Sequence, residues 1–291
     1  MAHVHRSLDV QAAADASVTA VELIGRLREW TTRLGRPFDP AMVPLCSLTA
    51  ANCTPWLSAS ACYPVAQTAA WLLALDAWSD GPGSDGSLVD AGITRCLEVV
   101  DGGAPTSGDP LQVSLAEIRD QVHAGPSGEA VHDRWRQAVT ESLLGTAFER
   151  HAADDVARGA EPPPLAEYLR HATGSIGLAM MVTAAWSAMD DPALPDRLPE
   201  LRGPLDDASM AVRLANDLRG HAREQAEGTI DALALGLAPQ DLAASLAEHL
   251  NRCRRRLRPL AGIVPGPVAA LERHLIWSVR MYQRFEAGHT G

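Results

Sequence analysis

Residues 213–224 read Arg-Leu-Ala-Asn-Asp-Leu-Arg-Gly-His-Ala-Arg-Glu, within a helical pattern that runs from about residue 203 to 228. An α-helix turns about 100° per residue, so a step of four residues drifts by roughly 40°. Asn216, Gly220 and Glu224 therefore share one face of this helix. An amide oxygen and a carboxylate on one stripe can bind a hard cation such as Mg²⁺. The alternative is an ordinary solvated face, since polar residues four apart are common on surface helices.

Arginine side chains flank this stripe. Arg213 lies one turn before Asn216, and Arg223 directly precedes Glu224. Guanidinium groups bind phosphate oxygens through paired hydrogen bonds, and a phosphate can also touch a cation held by the stripe. The stretch thus predicts half of a metal–diphosphate site, and the other half must come from elsewhere in the chain.

A second acidic pair ends the almost wholly apolar helix predicted over Pro64–Asp80. Asp76 and Asp80 are four residues apart and face the same way. The carbonyl groups and the dipole already make the C-terminal end of a helix negative. Bound cations would resolve this conflict, so the pair is a candidate for the second half of the site. The alternative is that Asp80 is a turn residue and that Asp76 pairs with an arginine.

Apolar periodicity predicts helices along the whole chain, and no convincing alternating strand pattern interrupts them. Glycine- and proline-rich turns separate about ten such stretches. We therefore expect an all-α barrel or bundle. Residues 1–15 are expected to form a weakly ordered N-terminus and residues 16–291 one domain. The expected helices include Val18–Leu34, Pro64–Asp80, Leu165–Met189 and Leu205–Glu227.

Composition argues against several classes of protein. The formal net charge of −11 over 291 residues argues against nucleic acid as a partner, because phosphate backbones require a basic face. Five cysteines without a CxxC pair argue against a disulfide framework or a zinc site, and favour a reducing compartment. The N-terminus lacks an apolar signal core, and no apolar run reaches membrane-spanning length. We therefore expect a cytoplasmic protein without a membrane span.

The two motifs together resemble those of the class I terpene synthases. An aspartate-bearing apolar helix is followed well downstream by Asn216-Asp217-Leu218 and Glu224, and the resemblance covers about residues 56–286. The Arg-x-x-Asn-Asp form is similar to that of bacterial ent-kaurene-synthase-like diterpene synthases. That family binds three Mg²⁺ between the motifs, ionises an allylic prenyl diphosphate and releases a carbocation into an apolar cavity. The resemblance implies the same single-domain helical fold, cofactor and substrate class here.

The resemblance also assigns roles to individual residues. It implies metal binding by Asp76, Asp80, Asn216 and Glu224, which with Arg213 form the catalytic set. It implies diphosphate contacts for Arg170, Arg213, Arg223, Arg280 and Tyr282. Pocket-lining residues are expected in core-like or glycine-weakened helical stretches, namely Trp56, Trp78, Gly174, Ser175, Ile176, Trp186 and Trp277. For the glycine-containing stretch 174–177, the alternative to exposed carbonyl groups is close helix packing.

Two positions depart from the family pattern. Ala77 replaces the second aspartate of the first motif, and Gly220 replaces a serine or threonine ligand of the second. Gly220 has no side-chain oxygen, so water must complete that coordination sphere or one metal ion binds weakly. These departures leave open a non-catalytic helical relative that binds a prenyl diphosphate without turnover. A chain-elongating prenyltransferase of the same fold ranks lower, since that chemistry uses two aspartate-rich motifs.

The Arg-x-x-Asn-Asp form and the resemblance to ent-kaurene-synthase-like proteins imply a C20 substrate, either geranylgeranyl diphosphate or a bicyclic labdadienyl (copalyl-type) diphosphate. The expected product is a cyclic or rearranged diterpene hydrocarbon or alcohol, and a sesquiterpene cyclase acting on farnesyl diphosphate is the alternative. The chain has no Asp-x-Asp-Asp motif for protonation-initiated cyclisation, so a separate class II cyclase would have to supply a bicyclic substrate. The basic run 252–258 suits a solvated face, an anionic partner or a sister subunit in a homodimer.

Overall fold

A computed structural model describes residues 10–81 and 86–284, except for the side chains of Glu224, Ala226 and Glu227. Within these residues the chain forms α-helices and one short 3₁₀ helix, Pro40–Met42, and no strand. The α-helices are α1 Val10–Leu34, α2 Val43–Cys53, α3 Ala59–Ser79, α4 Gly86–Val100, α5 Pro110–His123, α6 Gly128–Ala157, α7 Leu165–Ser175, α8 Leu178–Ser187, α9 Leu194–Glu227, α10 Pro239–Leu257 and α11 Pro265–Arg284. The predicted all-α class is confirmed.

The apolar helix α3 lies in the core, where it packs against α1, α2, α5, α6 and α8. Its small residues let these neighbours approach closely, and Trp71, near its middle, is fully buried. The Trp71 indole N–H donates a hydrogen bond to the Leu111 carbonyl oxygen at 2.9 Å, so the buried polar group is satisfied. A helix that is apolar all round is stable only when covered on every side, and α3 meets this condition up to its acidic C-terminal end.

Three helices begin earlier than the sequence indicates. α1 begins at Val10 rather than Val18, and α9 begins at Leu194 rather than Leu205. α3 begins at Ala59 rather than Pro64, because the Ser58 hydroxyl caps it by accepting a hydrogen bond from the Ala61 N–H. Prolines within α3 and α9 are poor helix formers, but tertiary packing overrides this local preference.

The segment expected as one helix from Leu165 to Met189 is broken into α7 and α8. Gly177 separates them with a left-handed φ of +67°. A Cβ atom at this position would lie 2.4 Å from the Leu72 side chain of α3. Both the backbone and the contact therefore require glycine, and the break turns Ser175 and Ile176 toward the interior of the barrel.

Replacing Gly177 with alanine is expected to lower the free energy of unfolding by about 2–4 kcal/mol, from left-handed strain and overpacking against Leu72. Urea-induced unfolding measures the change. Gly25→Ala in the exposed interior of α1 is the matched control, since nothing lies within 4 Å of the added Cβ. That control should be neutral or stabilising by up to about 1 kcal/mol. Equal unfolding midpoints for the two variants would contradict the proposed role of Gly177.

No helix within the described ranges has the length and apolar character needed to cross a bilayer.

Candidate active site

A cavity of about 1100 Å³, including solvent at its mouth, opens at the C-terminal end of α3. We call it the polar chamber, because its described walls carry carboxylates and guanidinium groups from α3, α6 and α9. The charged lining residues are Asp76, Asp80, Glu149, Arg150, Arg213 and Arg223. Asn216, Ser175 and Ile176 at the α7–α8 break, residues 229–230 and Tyr282 also line it.

A second cavity of about 560 Å³, also including solvent at its mouth, adjoins the first, and we call it the apolar chamber. Four side chains line both chambers: Leu72, Leu73, Ile176 and Tyr282. The remaining lining residues are Leu45, Cys46, Thr49, Ala69, Met181, Trp277, Ser278 and Met281. A charged compartment and a mostly aliphatic compartment therefore share one wall, which suits a ligand with an anionic head and a hydrocarbon chain.

The structure brings the two predicted half-sites to one chamber. Asp76 and Asp80 on α3 line the same cavity as Asn216 on α9. Arg213 and Arg223, predicted as diphosphate contacts, line it as well. The Glu224 side chain lies outside the described residues, so its predicted metal-binding role stays a prediction.

The chamber walls enclose Asp76, although its side chain remains accessible from the chamber. This enclosure is the main cause that raises the pKa of Asp76 to about 7, and the negative charges of Asp80 and Glu149 add to it. Arg223 and Arg213 oppose the shift without cancelling it. The chamber therefore disfavours the charged form of Asp76, and a bound cation would stabilise that form.

Asp217 is a fully buried carboxylate directly after Asn216. It accepts hydrogen bonds from the Arg213 Nε–H at 2.5 Å, the Tyr168 hydroxyl at 3.1 Å and the Ala232 N–H at 3.1 Å. Burial raises its pKa, and the charge and hydrogen bond of Arg213 partly oppose this effect. Asp217 thus fixes the orientation of Arg213 and ties the segment after α9 to the chamber wall.

Glu149 on α6 joins three elements at the same wall. Its Oε1 accepts a hydrogen bond from the Ser175 hydroxyl at 2.9 Å and lies 3.3 Å from Arg213 Nη1. Burial raises the pKa of Glu149, with Arg213 and Ser175 acting in the opposite direction. The sequence did not indicate Glu149 or its neighbour Arg150, because an adjacent Glu-Arg pair on a long amphipathic helix usually lies on a solvated face.

The oxygen-bearing side chains of the polar chamber suit a divalent cation that also binds a phosphate. Among the residues that the structure describes, no three His, Cys, Asp or Glu side chains converge closely enough to hold an ion alone. Mg²⁺ rarely uses an all-protein cage; it keeps several waters and binds through one or two carboxylates plus substrate phosphates. The pair Asp76 and Asp80, the Asn216 amide and nearby arginines are this kind of partial site.

Two predicted diphosphate contacts lie elsewhere. Arg170 is exposed on α7 and Arg280 is exposed on α11, and neither lines a chamber. The Arg280 guanidinium instead donates a hydrogen bond to the Gln283 side chain at 3.2 Å. Sequence spacing fixed their positions along the helices, but the rotation of each helix turns these side chains outward.

Three of the predicted pocket tryptophans also lie outside both chambers. Trp56 is 45% exposed at the surface. The Trp78 ring faces α4, where a Cβ on Gly92 would lie 2.5 Å from it. Trp186 is buried and donates its indole N–H to the Pro267 carbonyl oxygen at 3.0 Å. The first is a surface residue, and the other two serve helix packing.

Within the glycine-containing stretch 174–177, some residues serve helix packing and others line the chambers. A Cβ on Gly174 would lie 2.5 Å from the Glu141 carbonyl oxygen, so this glycine permits close packing of α7 on α6 and does not face the chambers. Ser175 lines the polar chamber, and Ile176 lines both. Trp277 lines the apolar chamber and donates its indole N–H to the Thr49 hydroxyl at 2.9 Å.

Comparisons with known proteins show which family the chain is similar to. The family "Terpene synthase family 2, C-terminal metal binding" matches residues 67–255. Ent-pimara-9(11),15-diene synthase of Streptomyces sp. (strain KO-3988) is 27% identical over 273 residues, which cover 90% of each chain.

Solved structures of other terpene synthases share the fold. Linalool/nerolidol synthase from Streptomyces clavuligerus, in complex with 2-fluorogeranyl diphosphate, superposes with a TM-score of 0.70 at 19% identity, covering 92% of this chain and 95% of that chain. The structure of a-eudesmol synthase superposes with a TM-score of 0.69 at 17% identity, covering 92% of this chain and 94% of that chain. At these identities the likeness shows the fold alone.

Proposed function

This chain belongs to terpene synthase family 2 and is a class I terpene synthase, and on that premise we propose that it acts on a C20 prenyl diphosphate. The substrate is geranylgeranyl diphosphate or a bicyclic labdadienyl (copalyl-type) diphosphate, and the product is a cyclic or rearranged diterpene hydrocarbon or alcohol. The observation that carries the proposal is the similarity to a diterpene synthase along 90% of both chains. The monoterpene and sesquiterpene synthases with the same fold are less than 20% identical.

The two adjoining chambers support this assignment. The diphosphate lies in the polar chamber, and the hydrocarbon lies in the apolar chamber, past the shared side chains of Leu72, Leu73 and Ile176. Apolar walls shape the folded hydrocarbon and exclude water from a carbocation. The C–O bond that breaks then lies near the shared wall, between the arginines and the hydrocarbon.

We assign the metal site to Asp76, Asp80, Asn216 and Glu224, with three Mg²⁺ as the family pattern implies. When bound, Mg²⁺ supplies Lewis-acid charge to the leaving diphosphate. Arg213 and Arg223 line the same chamber and stabilise the negative charge that develops on the leaving group. Because Asp217 and Glu149 hold Arg213 in place, its guanidinium does not need to reorganise during the reaction.

The Thr49 hydroxyl in the apolar chamber is engaged by other groups of the protein. Thr49 donates a hydrogen bond to the Leu45 carbonyl oxygen at 2.9 Å and accepts one from the Trp277 indole. A hydroxyl engaged on both sides is a poor nucleophile. Thr49 is therefore not expected to trap the carbocation as a covalent ether, and the cation can end as a released product.

Incubation of the purified chain with C10, C15, C20 and bicyclic C20 diphosphates tests the proposal. We expect Mg²⁺-dependent diphosphate release to be fastest with a C20 substrate, together with a diterpene in the organic extract by mass analysis. Turnover of the bicyclic substrate alone would require a separate class II cyclase to supply it. Preferential turnover of farnesyl diphosphate would instead identify a sesquiterpene synthase. Binding of prenyl diphosphates without turnover would identify a non-catalytic relative.

A further inference from the structure

The segment that follows α9 contributes Thr229 and Ile230 to the wall of the polar chamber. We call residues 229–232 the strap. We propose that His221 on α9 and Asp231 in the strap are positioning residues, which hold the strap against the chamber and so keep water away from the carbocation. The inference rests on the proposed function, since it concerns the cation that forms beside this chamber.

Asp231 attaches the strap to α9. Its side chain is fully buried, and Oδ2 lies 2.7 Å from His221 Nδ1. Because a carboxylate only accepts hydrogen bonds, the His221 ring is the donor. The other oxygen, Oδ1, accepts a hydrogen bond from the Ala234 N–H at 2.7 Å, which holds the turn that follows the strap. A buried carboxylate needs partners for its oxygens, so these two donors keep Asp231 in place.

A second contact attaches the same strap one helical turn away. The Ala232 N–H donates a hydrogen bond to the buried Asp217 side chain at 3.1 Å. Asp217 and His221 are four residues apart, so they share one face of α9. This face is adjacent to the face of Asn216, which lines the polar chamber. The strap is therefore held at two neighbouring points of α9, beside the predicted metal stripe and without using its residues.

The position of the strap determines what covers one side of the polar chamber. Ile230 is an aliphatic side chain in a wall that also carries carboxylates and guanidinium groups. Water that reaches the carbocation forms a C–O bond at the cationic carbon and releases one proton, which gives an alcohol. Apolar cover lowers the access of water during the reaction. His221 lines neither chamber, so it acts on this outcome through Asp231.

Hydrogen–deuterium exchange of the ligand-free protein tests the attachment of the strap. His221→Leu removes the N–H donor, and we expect the amides of residues 229–237 to exchange at least about fivefold faster than in the wild type. His221→Asn keeps an N–H donor close to the position of Nδ1 and should stay within about twofold of the wild type. His249→Leu is the matched control, since it removes a 3.0 Å contact with Asp207 of α9, about 21 Å along that helix from His221. It should leave exchange in residues 229–237 unchanged.

Product analysis tests the consequence for the reaction. With the prenyl diphosphate that the wild type turns over fastest, we expect His221→Leu to raise the share of alcohols other than the wild-type main product at least about threefold. This share is a ratio among molecules that have already ionised, so it does not depend on the fraction of folded enzyme. Ile230→Ala removes the aliphatic cover and keeps both strap contacts, and it should raise the share in the same direction. His221→Asn and His249→Leu should stay within about twofold of the wild type.

The two readouts separate this inference from the proposed function. A wild-type chain that turns over no prenyl diphosphate contradicts the function, whereas exchange in residues 229–237 still judges the attachment. If His221→Leu fails to fold in a thermal scan, Asp231→Asn replaces it, since it keeps the size of the side chain but weakens the contact with His221. We expect Asp231→Asn to speed exchange in the same residues by about twofold or more. Wild-type exchange there in the folded variant, an unchanged alcohol share, or an equal change in His249→Leu would overturn the inference.

Discussion

The Asp76→Asn variant is expected to release diphosphate from a C20 substrate at least about 100-fold more slowly than the wild type at saturating Mg²⁺. Asparagine keeps the size of the side chain but removes the charge that faces the polar chamber. The measurement is the initial rate of diphosphate release across a Mg²⁺ titration. A Mg²⁺ requirement shifted to higher concentration would place the loss at the metal site.

The same substitution should not destabilise the protein. The folded-state pKa of Asp76, about 7, lies above its ordinary value of 3.8, so its contribution to stability is lost as the pH rises between these values. At pH 8 and without Mg²⁺, we therefore expect Asp76→Asn to be at least as stable as the wild type. Asp133→Asn on α6, whose side chain is 93% exposed, is the control and should change neither activity nor stability. Release by Asp76→Asn at more than a tenth of the wild-type rate would contradict the proposed metal site.

The Arg213→Met variant is expected to lose both activity and stability. Arg213 is only 7% exposed and forms ion pairs with Asp217 and Glu149. Its removal leaves the buried Asp217 and the partly exposed Glu149 without their main cation, which costs about 3–5 kcal/mol in free energy of unfolding, mostly through Asp217. Because Arg213 also lines the polar chamber, the rate of diphosphate release should fall by about 100-fold.

A second substitution separates the two effects. Asp217→Asn in the Arg213→Met background removes one uncompensated charge and should recover part of the stability but none of the activity. Arg202→Met is the control on the same helix, since that side chain is 64% exposed, and it should change stability by less than about 0.5 kcal/mol. A wild-type urea midpoint for Arg213→Met would show that the buried ion pairs do not carry the expected stability.

The parts of the fold and the site that could be predicted are those with a strong local signal. α3 is apolar on all sides, and two aspartates end it, so its burial and its acidic end follow from the sequence. The spacing on α9 placed Asn216 and Arg213 on neighbouring turns of one helix. Short-range periodicity is sufficient for such features, because it fixes which residues share a face.

The parts that could not be predicted depend on how helices rotate and where they begin. The spacing of Arg170 and Arg280 gives their positions along the chain but not the direction of their side chains, and both are exposed. The same limit applies to Trp78, which faces Gly92 on α4 rather than a chamber. A tryptophan in a core-like helix is buried by many neighbours, and the sequence does not identify which of them surround the ligand.

Glu149 lines the chamber although the sequence did not indicate it as a site residue. Its place in the chamber wall follows from contacts with Ser175 on α7 and Arg213 on α9, which are distant in sequence. The neighbouring Arg150 pairs with Asp154, and this four-residue spacing is also common on solvated helices. Only the packing of α6 against its neighbours shows that the charges of Glu149 and Arg150 line the chamber and do not lie on a solvated face.

The most direct test of the account is a crystal structure of the protein with Mn²⁺ and inorganic diphosphate, in which anomalous scattering locates the metal ions. The account predicts metal density in the polar chamber, contacted by Asp76 on α3 and by Asn216 on α9, with one diphosphate shared between the ions and Arg213. Metal density bound to one of these helices alone, or absent from the chamber while diphosphate is bound, would contradict it.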